Sequence, residues 1–262
     1  MFETLGITLS EFQHFLLITA RISILVAVLP IISNRGVPHP FKILLGLFLA
    51  LICINIIPRP DFLPVSFLFL VFYAGQEILI GLLLGLITHF LFEAMILGGF
   101  MAGRLMGLSM LSLVDPSSRN KSNAIGQLST FVAILILFAT NGHHFFINAI
   151  FNSFYLIPIS KISFSPELVD HLIEISKSIF TLAFKFSAPF LAFLFLERVL
   201  MALFAKIAPD FHVIIISLPL SLLMGFYIMS IYWPYFNYAF QKFFENYKTD
   251  IMTFMKLLGG NS

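Results

Sequence analysis

The chain has 262 residues, of which 59% are hydrophobic and only 11% charged, with a net charge of +2. A soluble globular domain carries about 25% charged residues, so this composition excludes a body that covers itself with polar surface in water. The same scarcity of charge, with 33 phenylalanines, excludes a disordered chain. No Lys/Arg cluster forms a phosphate-tracking stripe for nucleic acid.

A mean hydropathy of +0.99 places most of the chain in lipid or against other apolar protein. Met1–Ser10 holds Glu3, no basic residue and no following small-residue cleavage site, so it is not expected to be a cleavable signal. Thr8-Leu9-Ser10-Glu11 fits a capping box. The apolar run from Phe12 to Ile32 that follows, broken by Arg21, is long enough to cross a core of roughly 30 Å. Pro30, Gly36, Pro38 and Pro40 surround a short link with Arg35, His39 and Lys42. As the most basic short loop it is expected to be cytoplasmic. A second run, Ile43 to Ile57, contains Cys53, the one cysteine, read as a buried inert thiol.

From Phe62 to Val114 the charges are Glu77, Glu93 and Arg104 alone. This stretch exceeds one span and is expected to hold two helices. Asp115-Pro116 opens a polar loop through Asn123. Ala124 to Thr140 predicts a helix, Asn141-Gly142 a turn, and Phe145 to Ile157 a returning segment. Ser165-Pro166-Glu167 starts the next helix, with Ser at N-cap and Pro at N1. It runs apolar to Phe204 with Pro189 as a kink, and Ala208-Pro209-Asp210 ends it. Val213 to Tyr232 is the last hydrophobic span.

The tail differs in kind. Phe240, Phe243, Phe244, Tyr247, Ile251, Phe254, Met255 and Leu258 recur at helical spacing between Gln241, Lys242, Glu245, Lys248 and Asp250. That pattern suits a bilayer surface or a partner groove. The expected organisation is a membrane helical part over residues 1–236 and an amphipathic helix over 237–262. The fold class is all-α, a polytopic membrane protein of helical hairpins with kinked or broken apolar helices.

Three sets of residues stand out. Gly81 and Gly85, then Gly99, Gly103 and Gly107, recur at four-residue spacing, which lets another helix approach closely within the chain or from a neighbour. Arg21, Glu77, Glu93, Arg104, Lys185, Glu197 and Arg198 lie deep in apolar segments, where each costs about 2.5–3.5 kcal/mol on insertion scales. They are expected to pair, to face water or to meet another chain. Glu167, Asp170, Glu174, Lys177, Thr181 and Lys185 form a polar stripe whose last member is too deep for a solvated helix end. His143-His144 lacks a nearby Asp, Glu or Cys to complete a metal site. No nucleotide-binding, hydrolase or metalloprotease motif is present, so neither cofactor nor catalytic residue is assigned.

The ordered motifs resemble a known family. They are Arg21 through Pro30 with Val37-Pro38; Glu77-Ile78-Leu79-Ile80-Gly81 with Gly85; Gly99-Phe100-Met101-Ala102-Gly103 with Gly107; Asp115-Pro116; Asn141-Gly142-His143-His144 with Ser153-Phe154; Ala188-Pro189; Ala208-Pro209; and Pro219 with Gly225. Together they look like FliR and the equivalent T-subunit of virulence type III secretion. The chain departs from the family's Ala-Pro-Gln-x-Asn at Asp210 and His212.

The resemblance implies a non-enzymatic subunit of a protein-export gate in the bacterial inner membrane. One copy would assemble with several FliP-type and FliQ-type subunits, with an FlhB-type switch subunit nearby, around a conduit for unfolded substrates. It also implies a plug, here Met106, Gly107, Leu108, Ser109, Met110 and Leu111, anchored by Asp115 and Pro116. The residue chemistry agrees: Met and Leu repack around varied sequences, and Gly107 and Ser109 let the backbone bend. The intramembrane charges leave a stand-alone secondary transporter or channel, with those charges as a proton or substrate path, as the rival, and a multi-pass enzyme using His143 or Glu197 as a third reading.

Overall fold

A computed structural model describes residues 8–29, 32, 37–59, 66–108, 124–209 and 213–260. Ser109, Met110, Leu111, Asp115 and Pro116 lie outside the described residues, as do Pro30, Arg35, Gly36 and the Asp210–His212 departure.

Among the described residues every regular element longer than one turn is an α-helix. α1 (Leu9–Val28) opens on the expected capping box. Thr8 Oγ1 accepts the Glu11 N–H at 3.3 Å, and a Glu11 carboxylate oxygen accepts the Thr8 N–H at 3.0 Å. The helix stops before the apolar run does: Leu29, which precedes Pro30, sits at ψ 121°, because the proline ring disfavours helical backbone before it. α2 (His39–Cys53) takes Pro40 in its first turn, where no N–H is required.

The two helices expected between Phe62 and Val114 are one helix. α3 spans Phe67–Leu105, 39 residues without a proline. Interior glycines cost about 1 kcal/mol each, too little to break a helix that packs along its length. α4 (Ala124–Ala139) and α5 (Gly142–Leu156) join through Asn141, at φ 56°, a left-handed conformation that Asn tolerates. α6 (Pro166–Ile207) runs 42 residues through Pro189. α7 (Val213–Leu258) runs 46 residues through Pro219 and Pro234, so the expected boundary at residue 236 falls inside a continuous helix.

Four helices are long and apolar enough to cross a membrane, or five with the α4–α5 pair counted as one span. The protein is a multi-pass membrane protein. At 1.5 Å per residue α3 and α7 measure roughly 58 and 69 Å, about twice a hydrocarbon core.

The chain divides into two compact units. Unit 1 takes residues 1–90, 141–175 and 247–262. Its core holds Leu17, Ile18 and Ile22 of α1, Ile80 and Ile87 of α3, Phe154 of α5, and Phe254 and Leu258 of α7, all at most 2% exposed. Unit 2 takes residues 91–140 and 176–246. Phe92 and Met95 of α3, Met106 just past its end, Leu137 of α4 and Phe190 and Leu194 of α6 are its buried centre.

The amphipathic tail corrects an expectation. Phe240, Phe244, Tyr247, Ile251, Phe254, Met255 and Leu258 are buried by the chain itself, and so are not left for a bilayer or partner groove. Within unit 1, Tyr247 Oη donates to Thr88 Oγ1 at 2.9 Å, which in turn donates to the Leu84 carbonyl at 3.0 Å. The Leu258 carbonyl accepts the Ser163 N–H at 2.9 Å.

Candidate functional site

The deepest polar feature lies in unit 1. Arg21 and Glu77, both fully buried, form an ion pair with Arg21 Nε 2.6 Å from Glu77 Oε2. Arg21 Nη1 donates to the Ser153 and Ile157 carbonyls at 2.9 and 3.0 Å, and the Ser153 carbonyl also accepts the Ile157 N–H that closes α5. The guanidinium lies over the Phe154 ring, 4.2 Å from its centroid. Glu77 Oε1 accepts the N–H of Ser160 at 3.1 Å, and Ser160 holds φ 67°. One charge pair thus joins α1, α3 and the chain after α5. Both Glu77 oxygens, Arg21 Nε and Arg21 Nη1 find partners within the chain while Arg21 Nη2 has none among the described residues, and a cluster so largely bonded within the chain fits a structural clamp better than a transport path.

The glycines set the spacing around it. A Cβ at Gly81 would stand 2.5 Å from the Arg21 carbonyl oxygen, and one at Gly85 2.8 Å from Val28 Cβ. Both therefore serve the close approach of α3 to α1. In unit 2, a Cβ at Gly99 would meet Gly126 Cα at 2.7 Å, so α3 and α4 touch backbone to backbone. Gly103 is buried.

The end of α3 leads into residues 106–108, the described half of the segment expected to act as a plug, and its first residue is held rather than loose. Met106 is fully buried in a notch that exists because residue 225 lacks a side chain: a Cβ at Gly225 would stand 2.5 Å from Met106 Cγ and Cε. The Leu105 carbonyl, an orphan acceptor of the helix end, accepts from Arg198 Nη2 at 2.8 Å. Gly107 then turns the chain at φ 83°, a conformation that costs other L-residues roughly 1–2 kcal/mol. Leu108 is half-buried. Met106 is thus the root of the segment, and Gly107 is where the chain leaves the helix.

The remaining charges do not gather. Arg104 is exposed and stacks 5.4 Å from the Phe100 centroid. Glu93 is half-buried and Lys185 exposed. Glu197 is 3% exposed and accepts the Ser221 hydroxyl at 3.0 Å, while its neighbour Arg198 is committed to Leu105. The rings of His143 and His144 are 4.2 Å apart, and among the described residues no three His, Cys, Asp or Glu stand close enough to hold a metal.

Sequence reasoning missed three partners. Gly225 as the seat of Met106 and Ser221 as the partner of Glu197 carried no local signal, because each contact spans a helix pair. The third was legible. Pro189 removes the N–H that would bond the Lys185 carbonyl, and Tyr232 Oη donates to that carbonyl at 3.2 Å.

The chain matches known proteins along most of its length. It is 31% identical over 223 residues to the flagellar biosynthetic protein FliR of Bacillus subtilis (strain 168), covering 84% of this chain and 86% of that protein. It is 27% identical over 242 residues to FliR of Escherichia coli (strain K12), covering 91% and 92%. It is 26% identical over 186 residues to the Yop proteins translocation protein T of Yersinia pestis, covering 70% and 71%. The family described as bacterial export proteins, family 1, matches residues 12–247, and with these helices and this coverage the chain belongs to that family.

Proposed function

We propose that this chain is a non-enzymatic subunit of a type III protein-export gate of the flagellar kind, seated in the bacterial inner membrane with FliP-type and FliQ-type subunits. An FlhB-type subunit would act beside them. The observation that carries the reading is the family match over residues 12–247, together with full-length relatives named for flagellar biosynthesis. The helices build part of the conduit wall and the 106–111 segment closes it. Met106, rooted against Gly225, and Gly107, at a left-handed turn, suit a segment that needs a fixed base and a bendable start. Exposed Phe67, Phe180, Phe195, Leu223 and Tyr227 leave long apolar faces for lipid and neighbouring subunits.

The test is co-expression with the FliP- and FliQ-type neighbours, detergent purification and native mass spectrometry. The expected result is one copy of this chain in a stable mixed assembly. A well-behaved monomer that ignores those neighbours would overturn the reading, and transport by that monomer alone in liposomes would favour a channel or carrier.

A further inference from the structure

Glu197 is a buried carboxylate with half its hydrogen bonding unmet. Its side chain is 3% exposed. Oε2 accepts the Ser221 hydroxyl at 3.0 Å, and Oε1 is buried with no hydrogen-bond partner. The adjacent Arg198 forms no ion pair with it, and its Nη2 donates instead to the Leu105 carbonyl. Among the described residues no cation neutralises this group. A lone charge in apolar surroundings is strongly disfavoured, so an unpaired carboxylate here points to a counter-ion from outside the chain.

The route for one is beside it. Glu197 lines an open groove of about 160 Å³ whose other walls are Phe193, Leu196, Leu200 and Met201 of α6 with Leu220 and Met224 of α7. Phe193, Leu196 and Leu200 are exposed. Between Phe180 and Leu203 the only charges are Lys185, Glu197 and Arg198, so the groove lies within an apolar stretch of α6. Two helices walling an apolar channel accept the ridge of a third helix, and the two methionines can adjust to its side chains.

We infer that this groove seats a helix of a neighbouring membrane subunit that carries a lysine or arginine on its apolar face, with Glu197 as its counter-ion. Ser221 fixes one carboxylate oxygen and leaves the other for the incoming cation. The pair then sets the register of the docked helix, a role for which buried charge is well suited. This inference rests on the chain acting within a multi-subunit gate.

The experiment is in vivo photocrosslinking with p-benzoylphenylalanine at position 200 or 220 of the full chain, in cells making the whole gate, followed by mass spectrometry of the crosslinked peptides. One apolar helix of another subunit, with a Lys or Arg within a turn of the crosslinked residue, is expected. Glu197→Gln keeps the shape and the Ser221 contact, and should reduce recovered assembly at least tenfold with this chain's membrane level unchanged. If that level also falls, Glu197→Lys combined with reversal of the partner's cation decides, recovery supporting the pair and no recovery overturning it. Crosslinks to lipid alone, to a second copy of this chain or to a helix without a cation would overturn the inference, as would normal assembly of Glu197→Gln. An assembly that forms with an empty groove refutes only this docking site, whereas a chain recovered without any other subunit refutes the gate reading as well.

Discussion

At the scale of single residues, the Arg21–Glu77 pair governs unit 1. Its pairing makes each charge affordable only with the other, so truncating one leaves an uncompensated charge in the core. Arg21→Ala or Glu77→Ala is expected to destabilise the folded chain by about 3–5 kcal/mol, measured as thermal unfolding in detergent. Arg21→Lys should recover little, since an ammonium cannot match the guanidinium's fork toward Glu77, Ser153 and Ile157. Melting within a degree of the parent for either truncation would show that the clamp contributes nothing. The glycines allow a sharper contrast. Gly81→Ala drives a methyl into the Arg21 carbonyl oxygen and should cost about 1–3 kcal/mol. Gly75, with nothing within 4 Å of its added Cβ, should tolerate alanine and gain about 0.5–1 kcal/mol in the isolated chain. Equal shifts in the two melting curves would refute close packing at Gly81.

At the scale of helices, length is the unexpected property. α3, α6 and α7 pass through glycines and prolines that local rules read as breaks. The helix persists at Pro189 because the carbonyl it strands is taken up by Tyr232. Tyr232→Phe should therefore cost about 0.5–1.5 kcal/mol. In a Pro189→Ala background, where the helix bonds that carbonyl itself, the same change should cost close to nothing. A double-mutant cycle on melting in detergent measures this coupling, and additive effects would show that the hydroxyl does not serve the freed carbonyl.

At the scale of the whole molecule, the chain leaves large apolar side chains on its outside while burying the Arg21–Glu77 pair. That inversion of soluble-protein patterning predicts complete retention in the membrane pellet after alkaline carbonate or high-salt washing, with release only by detergent. Immunoblotting of the fractions checks it, and release by carbonate would contradict the multi-pass assignment.

Composition and periodicity alone determined the solvent, the all-helical class and most helix starts, because burial of backbone polar groups in lipid leaves few alternatives and capping is a matter of three or four neighbouring residues. Thr8, Asn141 and Pro166 were legible for that reason, and the ordered motifs sufficed for the family. Only the tertiary structure decided that residues 67–105 form one helix, that the tail's apolar stripe is already covered, that Arg21 belongs to Glu77, and that Met106 is rooted on Gly225. Each of these depends on which distant helix supplies the partner. Local sequence states what a residue needs, and packing alone determines which neighbour supplies it.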